Sequence, residues 1–324
     1  MRLITALAVA GLVVASCSSG DDTGSAADTD STTTTSTTVS PTTAPTTIAP
    51  TTTEAPSLEL ELLTYNVAGL PTALSGSEPD VNTPLIGPLL NDYDIVLVQE
   101  SWLTPEGTSD DLRTYHEILL DLADHEFESA SLAAPLGSDP ERPSALLSDG
   151  LNRLSDFPFE PVTRQRWLTC GEASADCLSL KGFSMATTTL ADGIEVDIYN
   201  LHLDAGRADF AVRAENVAEL SAHIAEHSAG RALIVAGDFN LHLDRDPDAA
   251  QFEQLLLDAG LIDVCTELAC DQPNRIDKVL IRSNAEVTIT PLEWRNAAES
   301  FTRDDGEPLS DHDPVVARLQ FTPG

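Results

Sequence analysis

Two hydrophobic periods take turns along the chain. Stretches that alternate, or are apolar throughout, occur at "LELELLTYN" (58–66), "DIVLVQE" (94–100), "IEVDIYNLHLD" (194–204) and "RALIVAGDFN" (231–240), and each predicts a strand. "IDKVLIRS" (276–283) and "PVVARLQF" (314–321) predict two more, and "PSALLSDGLNRLS" (143–155) another with a turn at Asp149-Gly150. "KGFSMATTTL" runs through "ADG" (191–193) into the strand from Ile194, which predicts a hairpin. Apolar residues three and four apart predict helices at 111–125, 207–227 and 249–260, the last stopped by Gly260. Strands and helices interleave, but short turns join several strands. The expectation is therefore a mixed α/β layered domain, not a pure βαβ array.

The first 57 residues follow neither period. "MRLITALAVAGLVVASC" has one Arg and an apolar run too short to span a membrane, and reads as a secretory signal peptide over 1–16. "VASC" matches a bacterial lipoprotein box, with Cys17 as the lipidated residue; an ordinary signal with an incidental Cys is the alternative. Residues 17–57 then form a Ser/Thr/Pro-rich stalk with nothing to bury. The folded domain is expected over 58–324. It is expected as a monomer, on the extracellular face of the cell membrane or secreted.

Charge narrows the partners. The chain has 17 basic and 53 acidic residues, and only two of the basic ones, Lys181 and Lys278, are lysine. One basic and five acidic residues precede residue 58, so the domain itself carries near −32. Such a surface repels polyanions at long range unless a cation or a local basic patch intervenes. Cys170, Cys177, Cys265 and Cys270 lie in an exported domain and suggest two disulfides. The spacing favours local pairs, although three connectivities exist. A zinc site is the weaker alternative, because no His lies at ligand spacing from them.

The predicted strands deliver acid, amide and imidazole groups at their ends: Asn66, Glu100, His202, Asp238, Asn240, Asp277, and Asp311-His312. Each alone has an ordinary reading, such as a turn Asn, a core His, or an Asp277 ion pair with Arg275 or Lys278. Together they imply convergence on one cleft. The stretches "TYNVAGLP", "IVLVQES", "YNLHLDAG", "VAGDFNLH", "RIDKVLI" and "LSDHDPV" resemble the endonuclease/exonuclease/phosphatase superfamily, whose fold is that of deoxyribonuclease I. The resemblance implies a four-layer α/β sandwich, two mixed β-sheets packed face to face with helices outside.

It also implies roles. Glu100 would be the main divalent-metal ligand, with Asn66 and Asp311 close to the metal and its waters. Hard oxygen donors favour Mg²⁺ or Mn²⁺, with Ca²⁺ a further option. His312 would be held by Asp277 and take a proton from water. Asp238 and Asn240 would orient that water and bind phosphate oxygens, and His202 would serve a non-bridging oxygen or the leaving group. Asp313 is expected to cap or face solvent, and Pro314 to set the turn.

"LSDFPF" (154–159) departs from the resemblance, with Asp156 where an Arg is common, and no equivalent of a phosphate-contacting Tyr can be placed. Arg153, Lys181 and Arg213 are candidates for phosphate or headgroup contacts. The implied activity is a metal-dependent phosphodiesterase. The missing basic stripe, the anchor, and the likeness of "TYNVAGLP" to bacterial sphingomyelinase-like members favour a phospholipid headgroup. The alternatives are an extracellular nuclease and a catalytically dead surface binding module. Aromatics between Trp294 and Phe301 are expected in the core, with a membrane-touching loop as the alternative.

Overall fold

A computed structural model describes residues 57–72, 76–103, 113–129, 139–172 and 174–324. They belong to one unit, Thr53–Gly324; the other unit, Met1–Thr52, lies outside the described residues, with the leader, Cys17 and most of the stalk.

Among the described residues, twelve strands and five α-helices follow in order. The first part comprises β1 (Leu58–Asn66), α1 (Pro79–Leu89), β2 (Ile95–Gln99), α2 (Tyr115–Asp121), β3 (Phe127–Glu128) and β4 (Asn152–Ser155). The middle comprises β5 (Thr163–Arg166), β6 (Gly182–Ala191), β7 (Ile194–His202), α3 (Phe210–His227), β8 (Leu233–Asp238) and α4 (Asp246–Ala259). The last part comprises β9 (Ile262–Asp263), α5 (Val264–Glu267), β10 (Asp277–Arg282), β11 (Val287–Asn296) and β12 (Val315–Pro323).

They form two six-stranded sheets, ordered β11-β12-β1-β2-β4-β3 and β5-β6-β7-β8-β10-β9. Each sheet is mixed. β1 runs parallel to β2 and antiparallel to β12, while β7 runs parallel to β8 and β8 antiparallel to β10.

The unbroken apolar runs reflect burial on both faces of each sheet. In β1, Leu60 and Leu62 point between the sheets, and Leu63 and Tyr65 point outward. In β8, Ile234 and Ala236 point inward, and Leu233 and Val235 outward. Ile86 of α1 and Leu119 of α2 close the outer face of the first sheet; Leu220 of α3 and Leu255 of α4 close that of the second. The result is the four-layer sandwich, with three apolar seams. Each fully buried aliphatic side chain in them contributes about 1.5–3 kcal/mol.

The predicted helix at 111–125 is described as α2, begun by a Thr114–Glu117 capping box; residues 104–112 lie outside the described set. The Asp192-Gly193 hairpin forms, with Gly193 at φ +76°. Within 143–155 only β4 joins a sheet ladder, while Leu147 makes a lone bridge to Ser179. Trp294 lies in β11, and Phe301 is buried against Tyr65 with ring centroids 4.9 Å apart, so this segment is core and not a membrane-touching loop. Cys170 pairs with Cys177, and Cys265 with Cys270.

Candidate active site

The sequence-predicted polar groups meet at one end of the sandwich, across the seam between its sheets. Asn66 ends β1, Glu100 follows β2, and Asp311 and His312 precede β12, all in the first sheet. His202 ends β7, Asp238 ends β8, Asn240 follows it, and Asp277 opens β10, all in the second. The β1–β2 and β7–β8 pairs are parallel, and β10 and β12 run against them, which brings all these ends together.

Contacts then cross the seam. His312 Nδ1 lies 3.0 and 3.1 Å from the two carboxylate oxygens of Asp277. Its Nε2 is 3.8 Å from Asp238 Oδ2, and His202 Nε2 is 3.2 Å from the same oxygen. Asn66 Nδ2 donates to Asp238 Oδ2 and to Glu100 Oε1, each at 3.1 Å. Glu100 and His312 are thus linked through Asn66 and Asp238. Ser310, which sequence reasoning passed over, pins the last loop: its Oγ donates to the Asn66 carbonyl at 2.7 Å and accepts from His312 N–H at 3.1 Å.

Close packing of backbone makes the site possible. Gly69 donates its N–H to the Glu100 carbonyl at 3.2 Å, and a Cβ there would fall 2.3 Å from that oxygen. At Gly237, φ is +143° and a Cβ would lie 2.1 Å from Leu201 O. A side chain at Gly69 would push apart the turns that follow β1 and β2, and one at Gly237 would part β8 from β7.

Electrostatics follow from crowding acids. Burial alone would raise Asp238, but the charges of His312 and His202 hold it well below the usual carboxylate range. Burial would lower His312, yet Asp277 and Asp238 outweigh it and raise the imidazole well above its ordinary value. Asp311 is pushed up by burial and by the charges of Glu100 and Asp238, even with His312 beside it. The site therefore holds more carboxylate than its imidazoles can balance, and its oxygen-rich side has the chemistry of a hard divalent-cation site. One oxygen of each of Asp238 and Asp277 and one nitrogen of His312 fall within 4.8 Å of one another. The His312–Asp277 bond, however, gives that side the form of an acid–base pair. The carboxylates of Glu100 and Asp311 suit a hard cation better than an imidazole nitrogen does.

Two amides point otherwise than expected. Asn66 Oδ1 accepts from Ala68 N–H at 3.1 Å, so its nitrogen, not its oxygen, faces the carboxylates. Asn240 Nδ2 donates to Leu203 O at 3.1 Å, and its N–H to Asp238 Oδ1 at 2.9 Å.

Of the three candidate headgroup cations, two are structural. Arg153 is buried and donates to the Ala186 and Ile198 carbonyls. Arg213 is buried in a pair with Asp248, 3.0 Å away. Neither reaches the cleft, because both side chains are consumed inside the fold. Lys181 is buried too, 2.6 Å from Asp176, and the charges of Asp176 and Glu100 raise its pKa against the effect of burial. It lends positive charge to the site from below. Asp313 is not a free surface acid: it accepts from Arg275 at 2.7 Å and Asn296 at 3.0 Å, which leaves Asp277 to His312. Trp102, also missed, is buried with its ring 6.5 Å from His202, in space that only a glycine at 150 leaves open.

No family model matches the chain. A sphingomyelinase from Mycobacterium tuberculosis (strain ATCC 25618 / H37Rv) is 34% identical over 292 residues, covering 83% of this chain and 54% of the relative. The chain thus spans about half the length of the curated relatives it matches. Among solved structures, sphingomyelinase C from Streptomyces griseocarneus aligns with a TM-score of 0.58 at 19% identity, covering 81% of this chain and 99% of that one. A mutant beta toxin from Staphylococcus aureus, solved with bound magnesium ions, aligns at 0.57 and 16% identity, covering 80% and 99%.

Proposed function

We propose, on the premise that the chain is a homologue of sphingomyelinases with the endonuclease/exonuclease/phosphatase fold, that it is a divalent-metal-dependent phosphodiesterase acting on phospholipid headgroups. The observation that carries this reading is the connected set Asp277–His312–Asp238–Asn66–Glu100 across the seam. The likeness to sphingomyelinases and the net charge near −32, with no basic stripe, favour a lipid headgroup over a nucleic-acid backbone. Motif evidence at Cys17 supports export and lipid anchoring, which would keep the domain beside its substrate.

Glu100 and Asp311 would hold the cation, with Asn66 beside it through its bond to Glu100, which fits the donor set and the magnesium-bound beta toxin. When bound, the cation supplies positive charge that polarises the phosphate and offsets the crowded carboxylates. The remaining work belongs to the chain. Asp277 fixes Nδ1 of His312 and aims Nε2 into the cleft, so His312, in the neutral form it would take once a bound cation offsets the carboxylates that raise it, takes the proton of the attacking water. Asp238, 3.8 Å away, orients that water together with Asn240. His202 donates to a phosphate oxygen or to the leaving group, with its Nε2 directed at the same carboxylate.

The test is turnover by the purified chain of sphingomyelin, a lysophospholipid, plasmid DNA and a chromogenic phosphodiester, with Mg²⁺ or with EDTA. Lipid turnover that EDTA abolishes is expected. Turnover of DNA alone would replace the lipid reading with a nuclease. No turnover of any substrate with Mg²⁺ present would leave a binding module.

A further inference from the structure

The inward faces of the central strands change character in steps toward the site. Along β1 they read Leu60, Leu62, Thr64, Asn66; along β7 they read Val196, Ile198, Asn200, His202. β2 contributes Ile95, Leu97 and then Gln99. Between the apolar seam and the site residues lies one fully buried polar layer of Thr64, Gln99 and Asn200. Gln99 Nε2 donates to Asn200 Oδ1 at 2.7 Å, straight across the seam. It also reaches Thr64 Oγ1 and Leu97 O, each at 3.1 Å. Asn200 Nδ2 returns to the first sheet and donates to Val98 O and Asn152 O, both at 3.0 Å.

The orientation of this pair is determined. Turning the Gln99 amide over would set its oxygen against Leu97 O and Asn200 Oδ1, acceptor against acceptor. Unlike an apolar contact, the joint has a set length, because a hydrogen bond weakens steeply outside its range. It stands one position from Glu100 on one sheet and two from His202 on the other. Those two site groups belong to different sheets.

We infer that Gln99 and Asn200 form an inter-sheet clasp whose function is positional: it sets the gap between the cation-holding half of the site (Asn66, Glu100, Asp311) and the half that handles water and phosphate (His202, Asp238, Asn240, Asp277), across which His312 of the first sheet reaches Asp277. The inference rests on the phosphodiesterase reading of the site and adds two positioning residues to it. Neither touches substrate. A shift of about 1 Å between the halves costs on the order of 100-fold in rate, while the ligands on the first sheet keep their mutual geometry.

The test uses the full chain and its Gln99→Met variant, which preserves bulk and removes the amide N–H groups that Asn200, Thr64 and Leu97 share. Stability, kcat, KM and Mn²⁺ affinity by titration calorimetry are measured below the melting temperature of each. The clasp predicts kcat lowered by about 10- to 100-fold, KM within threefold of wild type, and Mn²⁺ affinity within threefold. A merely structural amide predicts a lower melting temperature with kcat per folded molecule unchanged, and that result overturns the clasp. Mn²⁺ affinity falling in step with kcat also overturns it, since the two halves would not be separable. Should Gln99→Met not fold, Thr64→Val removes one anchor of the same amide at constant shape. A fall in kcat of threefold or more at constant Mn²⁺ affinity supports the clasp, and an unchanged kcat sinks it. Wild-type turnover distinguishes the two levels: an inactive wild type defeats the phosphodiesterase reading, whereas an active wild type beside an equally active Gln99→Met chain defeats only the clasp.

Discussion

His116 offers a stability measurement whose sign and size follow from its surroundings. It lies on α2, 1% exposed, behind the loop that carries Glu100. Its Nδ1 faces the amide nitrogen of Asn152, a donor, and Ser101 Oγ at 3.3 Å, so Nδ1 accepts and the ring is neutral. Burial, and then the charge of Arg164, push its pKa down from 6.5 to about 4. The unfolded chain therefore takes up a proton near pH 6.5 that the folded chain refuses until about pH 4. Stability from this group is complete above pH 6.5 and is lost as pH falls toward 4. The whole shift is worth roughly 3 kcal/mol, and the part between pH 7 and pH 5 about 2 kcal/mol. Asp204 acts in the opposite direction. Burial and Asp176 push its pKa up to about 7, so it loses stability as pH rises, by an amount of similar order. Wild-type stability alone can therefore look flat, and the informative quantity is a difference. Urea unfolding at pH 5 and pH 7 would be compared for wild type and His116→Gln, whose amide oxygen can still accept from Ser101 and Asn152. The stability gained from pH 5 to pH 7 should be larger in wild type by about 2 kcal/mol. Equal gains in the two proteins would refute a neutral, proton-refusing His116.

His312→Ala should lower kcat per folded molecule by roughly 10²–10⁴-fold, with a lower melting temperature because buried Asp277 and Asp238 lose a charged partner; unchanged turnover removes its proton-transfer role. Gly237→Ala should destabilise the fold by more than about 1 kcal/mol, read by urea unfolding, because the new methyl would meet Leu201 O at 2.1 Å. Phe301→Ala should cost roughly 3–5 kcal/mol and leave vesicle binding of the folded protein unchanged, since the ring is core; selective loss of binding would restore the membrane loop.

The strands that build the centre of the sandwich were legible because burial on both faces leaves an unmistakable run, as in "IVLV" of β2. The site was legible for a related reason. A polar group at the end of such a run must find a partner, so Glu100, His202 and Asp238 stood out. β11 escaped notice because it is an edge strand, half-buried, and broken by a register shift between Pro291 and Glu293. Arg153 and Arg213 were read as headgroup contacts because local sequence gives the charge but not its partner. Asp248 lies 35 positions from Arg213, and Arg153 donates to carbonyls on the opposite sheet. The polar layer of Thr64, Gln99 and Asn200 was hidden for the same reason, since its bonds join residues about 35 and 101 positions apart.

Backbone conformation at the site resisted local reading most of all, and the pattern of its exceptions carries an argument. Of the five non-glycine residues with positive φ among the described residues, Ala68, Glu100 and Asn240 belong to the site, at φ +49°, +58° and +49°; Ala175 and Ala269 lie elsewhere. None is glycine; asparagine tolerates this region, but local preference would not assign Ala68 or Glu100 there. For Ala68 and Glu100 this costs on the order of 1–2 kcal/mol each, so surrounding bonds must hold them. Ala68 N–H is fixed by Asn66 Oδ1, Glu100 O by Gly69 N–H, and Asn240 by both Asp238 Oδ1 and Leu203 O. Ser101 N–H, bonded to Gly150 O at 3.0 Å, completes the hold on the Glu100 turn. A glycine at position 100 would relieve the backbone and lose the carboxylate, whereas an extended glutamate would carry its carboxylate along the strand and away from Asn66. The strain is thus the means by which an acid at the end of β2 is turned into the seam, where it meets groups delivered by the other sheet.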